Sequence, residues 1–298
     1  MTVAFVRVSR GSRAQQAGAL RLADSDKPHS LIGRLRQATQ PCMMAKRTLA
    51  TSPVTTPLFV AIDTPSKDAA VEISKKLSQS PGLGLKLGLE FFGALGPDGV
   101  RAVKEAAPKT PIFLDLKFHD IPNTVAGVIK SIAPLAPAML TLHSSGGAAM
   151  MKAAVAAATE AAEAGGYEKP LILAVTVLTS LDDADLDAVG QSTPASTQVV
   201  RLATLAQQCG MDGVVCSAKE IEPIRAACGN EFVLVVPGIR PAGAAHGDQK
   251  RVVTPAIAMT SGASCLVVGR PITQADEPSA AAKDILAEIA GAVKAAAE

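Results

Sequence analysis

The chain has 298 residues, 48% of them hydrophobic and only 3% aromatic, with a formal charge of +2. That is enough apolar material for one large domain or two ordinary ones, with a core of Ala, Val, Leu and Ile. With no Trp and one Tyr it lacks a stacking platform for single-stranded nucleic acid, and no apolar run reaches the roughly 18 residues that span a bilayer.

The charge is unevenly spread. Residues 1–56 hold nine basic groups against two acids, Asp24 and Asp26, whereas the remainder holds 20 basic against 25 acidic groups. The body is thus mildly acidic, which argues against a nucleic-acid-binding body, since that needs a basic face. Five cysteines, Cys42, Cys209, Cys216, Cys228 and Cys265, are odd in number and show no C-x-x-C. Neither a disulfide framework nor a zinc site is indicated, and a reduced cytosol fits.

Residues 1–56 are rich in Arg, Ser, Thr and Ala and show no strand-and-helix rhythm. Three readings stand beside one another: an organelle transit segment, a basic disordered arm, or a start codon placed too far upstream, since Met43 and Met44 lie just before the folded part. The folded domain is expected over 57–298.

From Leu58 onward short apolar runs alternate with helix-length stretches. Strands are expected at 58–63, 83–88, 112–118, 138–143, 171–178, 213–217, 232–237 and 265–269. Helices are expected at 66–79, 123–134, 148–164, 196–208 and 218–228, with Ser66 and Asn123 as capping or first-turn residues. Eight β/α units in about 240 residues predict a (β/α)8 TIM barrel, an α/β fold. A doubly wound sheet is the alternative, but Asp63-Thr64-Pro65 follows the first strand where a Gly-rich nucleotide turn would stand.

The polar residues fall at strand ends. Asp63 closes the first strand and reads by itself as a helix cap or loop acid. Lys86 is flanked by Leu85 and Leu87 in the second strand, a poor core residue unless it faces carboxylates. The third strand runs into Asp115, Lys117 and Asp120, followed by Ile121-Pro122-Asn123-Thr124. Alternation puts Asp115 and Lys117 on one face. A buried ion pair is costly, but it is tolerable at a strand's C-terminal end, where α/β barrels place their chemistry. Lys86, Asp115, Lys117 and Asp120 then form an array of alternating sign, with Lys117 held as a cation and poised as a general acid.

Thr179 closes the fifth strand and reads alone as a turn-capping hydroxyl. After the seventh strand, Pro237-Gly238-Ile239-Arg240 leads into a Gly- and Ala-rich loop ending near Gln249, long for a βα loop and suited to closing over a ligand. Gly269-Arg270 ends the eighth strand. Alone it is a surface turn; with Arg240 and Gln249 it reads as a phosphate site, the place barrels commonly use for one. The histidines, His29, His119, His143 and His246, have no metal-ligand spacing.

The run Asp115, Lys117, Asp120, Ile121, Pro122, Asn123, Thr124 resembles the D-x-K-x-x-D-I-P-N-T signature of the orotidine 5′-phosphate decarboxylase family. The resemblance extends from about Leu58 to the C-terminus, with no departure at a motif position. It implies a (β/α)8 barrel that converts orotidine 5′-phosphate to UMP and CO₂, the last step of de novo pyrimidine nucleotide synthesis, without metal or organic cofactor. It implies a cytoplasmic homodimer with shared active sites, in which Asp120 joins the neighbouring subunit's charge network and Thr124 reaches the neighbour's ligand. It also implies that Asp63 binds a ribose hydroxyl and Thr179 meets the pyrimidine ring. Two alternatives are kept: a Mg²⁺-dependent sugar-phosphate decarboxylase or aldolase of the same barrel suprafamily, and a non-catalytic barrel that binds a phosphate ligand. No nucleic-acid or membrane partner is expected.

Overall fold

The apolar runs form eight parallel strands, each paired to the next and the last to the first. They are β1 (Leu58–Ile62), β2 (Leu83–Leu87), β3 (Ile112–Phe118), β4 (Met139–His143), β5 (Leu171–Val175), β6 (Gly213–Val215), β7 (Val233–Val236) and β8 (Cys265–Val268). The pairing of β8 with β1, Leu58 against Leu266, closes the barrel and excludes an open doubly wound sheet. The computed structural model describes residues 54–241 and 253–297. Residues 1–53, the stretch 242–252 and Gln249 within it lie outside the described residues.

Between and after the strands come α1 (Lys67–Leu77), α2 (Leu89–Ala106), α3 (Pro122–Ile132), α4 (Gly147–Gly165), α5 (Asp183–Ala188), α6 (Ala195–Gln208), α7 (Ile221–Cys228), α8 (Pro255–Thr260), α9 (Arg270–Thr273) and α10 (Pro278–Ala297). Ser66 caps α1 by accepting the Ala69 N–H, as its position predicts. α3 starts one residue before the expected 123: Pro122 takes the first turn and Asn123 follows it, while Ile121 at the cap gives no side-chain bond. α2 bends at Gly96-Pro97, where Gly96 takes φ 55.

Strand alternation divides the core in two. Outward-facing residues such as Leu58, Val60, Leu85 and Leu114 pack under the helices. Inward-facing Phe59, Ala61, Phe113, Met139, Leu173, Val233, Val235, Cys265 and Val267 fill the lumen, together with Val54. Phe59 and Phe113 meet edge to face, centroids 5.8 Å apart and rings at 82°. Each such buried ring contributes roughly 1.5–3 kcal/mol. With the lower lumen filled, a cavity lies towards the strands' C-terminal ends.

Two expected boundaries are corrected. β5 ends at Val175, short of the expected 178; the Thr176 hydroxyl bonds the Val215 carbonyl at 3.3 Å and the chain then turns out of the sheet. Thr179 therefore sits in a turn beyond the strand. The expected helix at 218–228 begins as one 3₁₀ turn, Ala218–Glu220, before α7.

Candidate active site

The lumen-facing row changes character as it rises. Ala61 gives way to Asp63, Gly84 to Lys86, and Phe113 to Asp115 and Lys117, so period-two alternation brings four charges to one end of the barrel. Lys86 Nζ lies 3.6 Å from Asp63 Oδ1 and 3.5 Å from Asp115 Oδ2, and Lys117 Nζ lies 2.7 Å from the same Asp115 oxygen. The series Asp63, Lys86, Asp115, Lys117 alternates in sign, with every inner member between two opposite charges.

Asp63 supplies the outer carboxylate, and the chain's own Asp120 is not among these contacts. Asp120 is exposed and its carboxylate accepts the Ile121 N–H at 2.6 Å. Thr124 is likewise exposed, in the first turn of α3.

Asp115 is 9% exposed. Burial pushes its carboxyl upward, but the Lys86 and Lys117 charges and the bonds from Lys117 and Thr141 outweigh that and hold it below its ordinary value. It is therefore a carboxylate at neutral pH. Lys117 is held in an uncommon geometry: its φ is 49, in the left-handed region, where β3 bulges and its register against β4 shifts between Leu114 and Phe118. The Lys117 N–H donates to Thr141 Oγ1 at 3.0 Å, and Thr141 Oγ1 donates to Asp115 Oδ1 at 2.9 Å.

The charges border a cavity of about 320 Å³. Asp63, Lys86, Asp115, Lys117, Thr179, Arg240, Gly269 and Arg270 all line it, so eight of the eleven expected site residues converge on one space. Asp120 and Thr124 do not, and Gln249 lies outside the described residues. Part of the lining is apolar, Val175, Val177, Leu178 and Val215; another part is Gly238, Arg240, Gly269 and Arg270. Such a lining fits a ligand with a flat apolar part and an anionic part. Arg240 is buried, its N–H bonded to the Val253 carbonyl at 3.2 Å beside the Ile239–Val253 bridge.

Cys216 also borders the cavity, and burial pushes its thiol far up, so it stays neutral. Burial, then the nearby His119 and Lys117, lower the His143 imidazole below its ordinary value. The His119 and His143 rings lie 5.6 Å apart and neither lines the cavity. No group of three or more His, Cys, Asp or Glu among the described residues is arranged to hold a metal ion, and no described helix is long and apolar enough to cross a membrane.

Two contributors escaped the sequence reading. Thr141 looks like an ordinary β-branched strand residue, and only the β3–β4 pairing reveals its two bonds. A Cβ at Gly88 would lie 3.1 Å from Asp63 Oδ1 and 3.3 Å from Lys86 Nζ, so glycine there leaves that pair its room. Its place after the Lys86 strand was the available sign.

The family described as "Orotidine 5′-phosphate decarboxylase / HUMPS family" matches residues 56–285. A curated orotidine 5′-phosphate decarboxylase of Paramagnetospirillum magneticum is 52% identical over 233 residues, 78% of this chain and 98% of that protein. Its counterpart in Rhodospirillum rubrum is 52% identical over 235 residues, covering 79% and 94%. The crystal structure of orotidine 5′-phosphate decarboxylase from Lactobacillus acidophilus superposes with a TM-score of 0.70 at 37% identity, covering 78% of this chain and 99% of that one. By these matches over a closed eight-stranded barrel, the chain belongs to the orotidine 5′-phosphate decarboxylase / HUMPS family.

Proposed function

We propose that this chain is a carboxy-lyase that converts orotidine 5′-phosphate to UMP and CO₂, the final step of pyrimidine nucleotide synthesis. The observation that carries the reading is the Asp63, Lys86, Asp115, Lys117 series at the mouth of the barrel, ending in an ammonium that faces the cavity. A barrel that only bound a phosphate ligand would have no use for a lysine buried between two carboxylates.

In this mechanism Arg270, the Gly269 N–H and Gln249 hold the 5′-phosphate, with Arg240 in the same part of the lining. Asp63 takes a ribose hydroxyl, and Thr179 faces the pyrimidine beside the apolar part. Binding at the remote phosphate drives the substrate carboxylate towards Asp115. The bond from ring carbon 6 to the carboxylate breaks, CO₂ leaves, and the electron pair stays on carbon 6. The Lys117 ammonium stabilises that pair, transfers its proton to carbon 6, and regains one from solvent. Lys86 keeps both carboxylates in place. Asp120 and Thr124 serve the site of a second copy, which makes the enzyme a homodimer. The catalytic domain is 57–298, with 1–56 an extension outside it; the family match from residue 56 supports that division. A cytoplasmic location accords with the bacterial relatives.

The test follows the absorbance of orotidine 5′-phosphate with EDTA present. Conversion to UMP is expected from the wild type. Lys117→Ala should lose at least about a hundredfold in kcat while still folding and binding UMP. An active alanine variant refutes the role of Lys117. Turnover only with Mg²⁺, on sugar phosphates, would move the chain to the metal-dependent branch of the suprafamily.

A further inference from the structure

Thr141 sits on the inner face of β4 between Met139 and His143, 1% exposed, and it does not line the cavity. A buried hydroxyl has one proton to give and lone pairs to accept with. Here the proton goes to Asp115 Oδ1 at 2.9 Å, and a lone pair takes the Lys117 N–H at 3.0 Å. The two partners are themselves paired, Lys117 Nζ to Asp115 Oδ2 at 2.7 Å. Thr141 thus closes a ring of contacts around the cationic end of the series.

The backbone explains why such a clamp is needed. Where β3 bulges, Lys117 takes φ 49. A residue with a side chain stays in that region only where its surroundings hold it. The hydroxyl on β4 takes its N–H.

We propose that Thr141 is a positioning residue for the reaction: through one hydroxyl it holds both the backbone of the proton donor Lys117 and the carboxylate Asp115 that aims its ammonium. It acts on these two groups and not on the substrate, so it sets the chemical step and leaves binding alone. The inference rests on the decarboxylase reading above.

The test compares full-length wild type, Thr141→Val, which keeps the shape without the hydroxyl, and Thr141→Ser, which keeps the hydroxyl. Each is measured for kcat and KM on orotidine 5′-phosphate, for UMP affinity and for melting temperature. The valine variant should lose roughly tenfold to a hundredfold in kcat, the scale of one buried hydrogen-bonding partner removed. Its KM and UMP affinity should stay as in the wild type, and serine should restore most of kcat. If valine prevents folding, Thr141→Ala beside Thr141→Ser carries the same comparison. A hydroxyl-free variant with wild-type kcat, a serine variant no faster than the hydroxyl-free one, or loss of UMP binding in step with kcat each overturns the assignment. A wild type inert towards orotidine 5′-phosphate overturns the decarboxylase reading and this inference with it. An active wild type beside an equally active valine variant overturns this inference alone.

Discussion

Asp115 receives both ammonium groups of the site as well as a hydroxyl, and it does so almost fully buried. Its ionised form is therefore part of what holds β2, β3 and β4 in register at their C-terminal ends. Its carboxyl is held below the ordinary value of 3.8 in the fold. A carboxylate lowered on folding stabilises the native state at every pH above the unfolded value, and that contribution fades as pH falls through the folded one. Asp115→Asn keeps the size and removes the charge, leaving Lys86 and Lys117 without the anion between them. The variant should lose roughly 3 kcal/mol at neutral pH, the low end for breaking a buried pair, because Lys117 can still be hydrated. Denaturant unfolding at several pH values checks this. The gap between the two proteins should be constant from neutral pH down to about pH 4 and narrow below it. A gap that stays constant far below the ordinary carboxylate value would show that the charge of Asp115 is not what stabilises the fold.

At the scale of elements, the barrel's lower lumen leaves space for two glycines and no more. A Cβ at Gly84 on β2 would overlap the Phe59 ring, and one at Gly213 on β6 would overlap the Val233 carbonyl of β7. The first obstacle is a side chain and the second is backbone, so the two substitutions should behave differently. Gly84→Ala should cost about 1–3 kcal/mol and be largely rescued by Phe59→Leu. Gly213→Ala should cost more, and no side-chain change should rescue it, because β6 and β7 would have to move apart. Thermal melting of the single and double variants separates these outcomes; equal rescue of both would mean the lumen is not packed as described. The same contrast between side-chain pattern and three-dimensional pairing decides what the sequence could reveal. Eight strands were legible because strands covered on both faces read as continuous apolar runs. The end of β5 was not, since Thr176 to Leu178 look as strand-like as the residues before them and the chain leaves the sheet for reasons set by β6. The charged members of the site were legible as misfits in apolar runs. Thr141 was hidden because threonine is at home in a strand, and its bonds depend on a bulge in the neighbouring one. The pairing of Asp63 with Lys86 was hidden as well, because it depends on β1 lying beside β2, 23 residues further along the chain.

At the scale of the whole molecule, Asp120 and Thr124 are the two described site residues that the single chain leaves outside its cavity. They stand at the start of α3, directly after the strand that bears Asp115 and Lys117. Exposed Ile121, 66% accessible, lies between them. If they complete the site of a second copy, the contact is reciprocal: in a two-fold dimer each chain gives Asp120 and receives one. This arrangement makes a prediction that no single-chain site can meet. Lys117→Ala and Asp120→Ala should each be nearly inactive alone. When the two variants are unfolded together in equal amounts and refolded, half of the dimers are mixed. Each mixed dimer holds one site with both defects and one with neither, because the intact Lys117 of one chain meets the intact Asp120 of the other. Activity should return to about a quarter of the wild-type level, from random pairing of two chain types. Thr124→Ala mixed with Lys117→Ala should recover in the same way wherever Thr124 also acts across the interface. If Asp120 serves its own chain instead, each mixed dimer pairs two broken sites and mixing restores nothing. Activity after mixing therefore reports whether Asp120 acts on the site of its own chain or on that of a second copy.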